Sequence, residues 1–233
     1  MNLLAIDAST EACSVAISFN GKQYEKFELA PQSHSLLLLP MIDALLAEAN
    51  CTLADMQGLV FGRGPGSFTG VRIGIGVAQG LAFAANLKVV GVSTLQTMAQ
   101  QAYDKDGSAL VLSAIDARMA EAYVGVYQAD EHGLMQPLME EAVMPPASIS
   151  DHIAEAVKGH SLAGVGSAWQ AYGDTLKALA EPHIDEALQF PRASAMLKLG
   201  ASMFANGEGV DAEHAQPVYV RDTVTWKKLP GRE

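Results

Sequence analysis

The 233-residue sequence predicts an α/β protein of two similar lobes, on three observations. A strand-turn-strand unit opens the chain, a helical stretch then joins two short apolar strands, and the opening pattern returns near residue 110. Strands followed by helices that alternate with strands argue for sheets covered by helices, and the return of the pattern argues for duplication. With 49% apolar and only 18% charged residues, the chain can bury a substantial core.

In order, Leu3 to Asp7 and Ala12 to Phe19 read as strands around the turn Ala8-Ser9-Thr10-Glu11. Asn20-Gly21, a strong hairpin signal, leads into a third strand at Gln23 to Leu29. Leu36 to Leu46 is a helix whose first turn is apolar on every side, and Pro40 should kink it. Leu59 to Phe61 and Val89 to Val92 are short buried strands; the helix Phe68 to Ala85 between them makes a βαβ unit with a right-handed crossover. Leu110 to Asp116 and Glu121 to Tyr127 repeat the opening, Ile6-Asp7-Ala8 matching Ile115-Asp116-Ala117 and Glu11-Ala12 matching Glu121-Ala122. Helices are expected at Ser148 to Val157, Ser167 to Ala180 and Ser194 to Phe204, with a strand at Ser161 to Val165. The expected division is a first lobe 1–103, a second lobe 104–210, and a C-terminal segment 211–233 against the first lobe. Two such halves facing each other, each with a hairpin marked by an acid, have the duplicated architecture of actin, hexokinase and heat-shock ATPases, an actin-like (ASKHA, ribonuclease H-like) fold.

Several function classes are disfavoured. The start Met-Asn-Leu-Leu-Ala-Ile-Asp has no basic region or cleavage site, so a cytoplasmic location is expected. Val71 to Ala85 is short for a membrane span and carries Arg72 and Gln79, so no membrane association is expected. Cys13 and Cys51 read as reduced, packed thiols. The six histidines show no helical metal-site spacing, so no metal is expected. A net charge of −11 repels polyphosphate, so tight direct binding of nucleic acid is disfavoured. The basic cluster Lys227, Lys228 and Arg232 reads as a solvated tail.

The densest motif is Gly62-Arg63-Gly64-Pro65-Gly66-Ser67-Phe68-Thr69-Gly70-Val71-Arg72-Ile73-Gly74-Ile75-Gly76. It lacks the G-x-x-x-x-G-K-[ST] spacing of a phosphate loop. Gly70, Gly74, Gly76 and Gly80 inside a helix cost about 1 kcal/mol each, which something must offset. Gly70, Gly74, Ala78 and Ala82 line one face, and Gly76, Gly80 and Ala84 a neighbouring one. Such stripes suit close packing against the chain's own sheet or against a second chain. Asp7, Ser9 and Thr10 occupy the hairpin where actin-like proteins hold phosphate and Mg²⁺, and Asp116 the mirror position. The Asp116 turn lacks glycines, and a Gly-Gly adenosine turn appears only as Gly164-Val165-Gly166-Ser167, so the nucleotide site reads as degenerate. No G-x-S-x-G elbow is present. His34, between two serines at a helix start, reads as a capping or interface residue.

Together Ile6-Asp7-Ala8-Ser9-Thr10, Ser33-His34-Ser35, the glycine-rich segment through Gly74, Ile115-Asp116-Ala117-Arg118 and Pro217-Val218-Tyr219-Val220-Arg221 resemble the TsaB family, also called YeaZ, over nearly the whole chain. The resemblance implies a non-catalytic role in transferring threonylcarbamoyl to the adenosine beside the anticodon of tRNAs that read codons beginning with A. Implied partners are a TsaD-like catalytic paralogue and a TsaE-like ATPase, with a homodimer when the chain is alone. No cofactor of its own is implied, with ATP or ADP only in the complex. The paralogue carries an H-x-x-x-H metal helix where this chain has Thr94 and Met98, neither of which replaces an imidazole ligand. The family's partner-facing surface lies on the first two helices of the first lobe; there Leu38, Ile42, Leu45, Val71, Gly74, Ile75 and Phe83, with His34, are the expected interface. The alternatives are a stand-alone actin-fold ATPase or kinase and, disfavoured by the absence of H-E-x-x-H, a peptidase.

Overall fold

A computed structural model of the chain describes residues 1–158, 160, 162–177, 179 and 188–221. The first sheet contains β1 (Leu3–Asp7), β2 (Ala12–Phe19), β3 (Lys22–Leu29), β4 (Gly58–Gly62) and β5 (Val89–Val92), in the order β3-β2-β1-β4-β5. β1 to β3 are antiparallel, while β4 runs parallel to both β1 and β5. Asn20 and Gly21 make the β2–β3 turn with φ of 50° and 79°, the positive pair that a two-residue hairpin turn needs.

The second sheet repeats the hairpin with β6 (Leu110–Arg118) and β7 (Glu121–Ala129), and β10 (Ala163–Val165) parallel to β6. β8 (Met135–Pro137) and β9 (Ala142–Met144) both pair with β7.

Period-two alternation sorts each sheet's side chains onto two buried faces. On the first sheet, Leu4, Ile6, Val15, Leu59 and Phe61 meet α1 (His34–Glu48) and α2 (Phe68–Ala85). Leu3, Ala5, Ala16, Val60 and Val92 meet α7 (Ala193–Ala205) on the other face. On the second sheet, Leu112, Val124 and Val126 meet α4 (Ile149–Ile153), α5 (Ala168–Ala171) and α6 (Gly173–Leu176). Val111, Ile115 and Tyr127 meet α3 (Thr94–Asp106). Coverage on both faces explains why the strands read as nearly continuous apolar runs.

The helices do not follow the division of the chain at 103/104. α3, from the first half, covers the second sheet, and α7, from the second half, covers the first; the two also pack on each other. Each half of the sequence thus supplies the helix that covers one face of the other half's sheet. The last described stretch lies along the first lobe: Val210 bridges to Val89, Ala212 and Ala215 join the core under α2, and the Val218 N–H donates to the Arg63 carbonyl at 2.9 Å.

Three sequence expectations differ in extent. The helix expected over 148–157 is confined to α4, and that over 167–180 is two single turns separated at Tyr172, with 178 and 180 outside the described residues. The strand expected from 161 begins at Ala163, and Ser161 also lies outside them. Lys227, Lys228 and Arg232 lie outside as well.

Candidate functional site

The turn after β1 is built from its own hydrogen bonds. Asp7 Oδ1 accepts from the Ser9 N–H at 2.9 Å and from Ser9 Oγ at 2.8 Å. Ser9 Oγ accepts in turn from Thr94 Oγ1 of α3 at 3.0 Å, and the Ser9 carbonyl accepts from the Ser67 N–H at 2.7 Å. The Thr10 carbonyl lies 2.7 Å from His34 Nε2; since a carbonyl only accepts, that nitrogen carries the proton. His34 is buried and fastens α1 to this turn. It belongs to the chain's interior and leaves the expected interface set.

The glycine-rich segment roofs this turn. A Cβ at Gly62 would lie 1.9 Å from Asp7 Oδ2, one at Gly66 2.1 Å from the Ser9 carbonyl oxygen, and one at Gly70 2.2 Å from the Ala8 carbonyl oxygen. Only glycine permits approaches this close. Asp7, Ala8, Ser9 and Thr10 are consequently all buried. Asp7 Oδ2 has no hydrogen-bond partner among the described residues. Burial pushes the Asp7 carboxyl up to about 6, against the lowering effect of the Ser9 bonds and His34.

The mirror turn is filled differently. Asp116 accepts from the Arg118 N–H at 2.9 Å, Arg118 Nη1 at 3.2 Å and Tyr172 OH at 2.8 Å, while its own N–H donates to Ser167 Oγ. At Gly164, a Cβ would lie 2.1 Å from the Trp169 ring, so the position expected to face adenosine holds an indole. Gly166, at φ +110°, passes over the Ala114 carbonyl. Asp7 and Asp116 each serve their own lobe, and the nearest side-chain link between the two turns is Glu11 with Arg118, at 3.0 Å.

The exposed face of α1 and α2 differs from the expected interface. Leu38, Ile42, Leu45, Val71, Gly74 and Ile75 are buried in the first lobe's own core, because α1 and α2 turn those positions onto β1, β2 and β4. Little of their surface is presented outward. Phe83 is 85% exposed and stays in the set. The apolar residues facing outward on α1 are Leu36, 74% exposed, and Leu39. On α2 the outward stripe is Phe68, Arg72, Gly76, Gly80 and Phe83, one every three or four residues. Cβ atoms at Gly76 and Gly80 would meet nothing within 4 Å, so packing among the described residues does not account for either glycine. α2 is also long and apolar enough, at 18 residues and mean hydropathy 1.3, to cross a membrane by length and composition. Its inward side is instead packed on the first sheet.

Sequence reading missed a polar cluster between the lobes. Glu141 accepts from Tyr127 OH at 2.6 Å and from Ser93 Oγ, the hydroxyl that also caps α3. Burial, with the Glu141 charge, pushes the Tyr127 phenol well above its ordinary value. One of two adjacent glutamates, Glu140 and Glu141, in a loop carries no sequence signal of this role. Among the described residues, no group of three or more His, Cys, Asp or Glu is placed to hold a metal. Thr94 serves the first turn, and Met98 is core.

Two hairpin-led sheets, each sealed by a helix from the other half, define an actin-like protein in which the Asp7 turn is buried and the Asp116 turn is bonded to Arg118 and Tyr172. A family model described as TsaD, tRNA N6-adenosine threonylcarbamoyltransferase, matches residues 27–229. The TsaB protein of Escherichia coli K12 is 48% identical over 233 residues, covering all of both chains. That of Haemophilus influenzae is 40% identical over 241 residues, covering 100% of this chain and 99% of its own. The chain belongs to the TsaB family. The solved structure of YeaZ from Pseudomonas aeruginosa superposes with a TM-score of 0.86 at 44% identity, over 94% of this chain and 99% of that one. Component A of (R)-2-hydroxyglutaryl-CoA dehydratase from Acidaminococcus fermentans, 12% identical with a TM-score of 0.52 over 88% of this chain and 99% of its own, shares the fold alone.

Proposed function

We propose that the chain is a non-catalytic subunit in the biosynthesis of tRNA threonylcarbamoyladenosine, docking through α1 and α2 onto a TsaD-like catalytic paralogue. The observation that carries this reading is the outward stripe of Gly76 and Gly80, flanked by Phe83 and by Leu36 and Leu39 of α1. Glycines in an exposed helix interior cost about 1 kcal/mol each, and a second helix seated at close range offsets that cost. The buried Asp7 and the engaged Asp116 support a supporting role over an ATPase of its own. A TsaE-like ATPase completes the assembly in the cytoplasm, the chain pairs with itself through the same face when alone, and tRNA is held by the partners.

The test mixes purified chain with its organism's TsaD-like paralogue, and measures complex formation by sedimentation and tRNA modification in the reconstituted system. The native chain should form a stable complex and support modification. Gly76→Arg and Phe83→Glu should fold normally and do neither. Unchanged binding by both variants overturns the docking face; ATP turnover by the chain alone overturns the non-catalytic reading.

A further inference from the structure

We propose that two ion pairs, Glu11–Arg118 and Arg221–Glu121, form a clasp that holds the two lobes in one closed arrangement with no nucleotide bound. Glu11 lies on the β1–β2 turn of the first lobe and Arg118 on the β6–β7 turn of the second, with Nη2 and Oε1 3.0 Å apart. Here an arginine on one meets a carboxylate on the other.

Arg118 is oriented toward Glu11 by Asp116. Its N–H and Nη1 both bind Asp116, leaving Nη2 for Glu11. The turn it opens is strained: Arg118, Met119 and Ala120 have φ of 63°, 57° and 58°, a run that asparagine and glycine favour and these residues do not. Backbone of this kind persists where surrounding contacts over-determine it, and the Asp116 and Glu11 bonds are contacts of that kind.

The second pair arises from the C-terminal segment. That segment is fastened to the first lobe by the Val210–Val89 bridge, by Gln79 Nε2 donating to the Ala215 carbonyl at 3.0 Å, and by the Arg72 guanidinium between Phe68 and Tyr219. Arg221, the last described residue, then crosses to Glu121 of β7 at 2.6 Å and lies over the Tyr123 ring. Arg221 moves with the first lobe while its carboxylate belongs to the second. This pair is the sheltered one, with side-chain exposures of 15% and 32% against 73% and 43% for Arg118 and Glu11, and is screened less by salt. The proposal stands on the lobe contacts and does not require the docking face.

Single-molecule energy transfer tests it at concentrations too low for association. Dyes are placed at Lys22→Cys on the first lobe and Ser150→Cys on the second, in a Cys51→Ser background; buried Cys13 stays unlabelled. The otherwise native chain should show one transfer population, unchanged by ATP. The double variant E11Q/R221E should add a second, lower-transfer population, and E11Q/E121R/R221E should remove most of it. A double variant that is folded by circular dichroism and keeps the single population overturns the clasp, as does a native chain with two populations that ATP merges. Should the double variant not fold, E11Q and R221Q are measured singly: a lower-transfer shoulder in either supports the clasp, and none in both overturns it.

Discussion

Asp7→Asn removes a charge that the fold buries at a cost, and the structure sets the size of the effect. The carboxyl is fully enclosed, one oxygen is unpartnered, and its pKa is lifted from the ordinary 3.8 to about 6. Between those values the folded chain keeps a proton that the unfolded chain has released, so stability falls as pH rises through the window. The gap of about 2 units corresponds to about 3 kcal/mol at 1.36 kcal/mol per unit. Nothing is lost below pH 3.8, where both states are neutral; the full cost is reached above pH 7. From pH 4.5 to 7.5 the Asp7 contribution to stability should fall by about 2 kcal/mol. In D7N that slope is absent, although its amide N–H₂, facing Gly62 without an acceptor, carries a pH-independent penalty of about 1–3 kcal/mol. Urea denaturation followed by far-UV circular dichroism, on both proteins at each pH, isolates the residue by difference. The difference should move toward D7N by about 2 kcal/mol across this range. A difference that stays flat would refute the account of a buried, ionisable Asp7.

The two glycine stripes should separate cleanly. Gly70→Ala drives a Cβ into the Ala8 carbonyl and should destabilise the chain by about 1–3 kcal/mol, read as a lower thermal midpoint. Gly76→Ala meets open space and should stabilise the isolated chain by about 1 kcal/mol, raising that midpoint by about 2–4 °C, while weakening association in sedimentation. On α1, Leu38→Ala should cost about 2–5 kcal/mol of unfolding free energy as a core truncation. Leu36→Ala should stay within about 0.5 kcal/mol.

What could be read from the sequence was local or repeated. Asn20-Gly21 announces its turn because two left-handed residues in succession are a backbone requirement that those residue types meet. Met119-Ala120 adopts a comparable turn without announcing it, since the conformation is held by Asp116 and Glu11 and not by its own preferences. α3 escapes an apolar-period reading because it is sandwiched between the second sheet and α7. Two of its polar residues are buried too: Gln100 binds the Gly133 carbonyl and the Met135 N–H, and Gln101 binds the Phe190 carbonyl and the Arg192 N–H. A helix enclosed in this way shows no wet face.

The sequence by itself determined the two hairpins with their acids, the duplicated two-lobed plan, and a helix with two small-residue stripes. Each follows from turn chemistry, strand alternation or helical period, which act over a few residues. Only the tertiary structure decided which stripe looks outward, which leucines of α1 meet the core, and which sheet α3 and α7 cover. A helix that is apolar on all sides has no preferred inward face of its own. The choice between Leu38 and Leu36, or between Gly74 and Gly76, is made by the sheet and the Asp7 turn that the helices pack against.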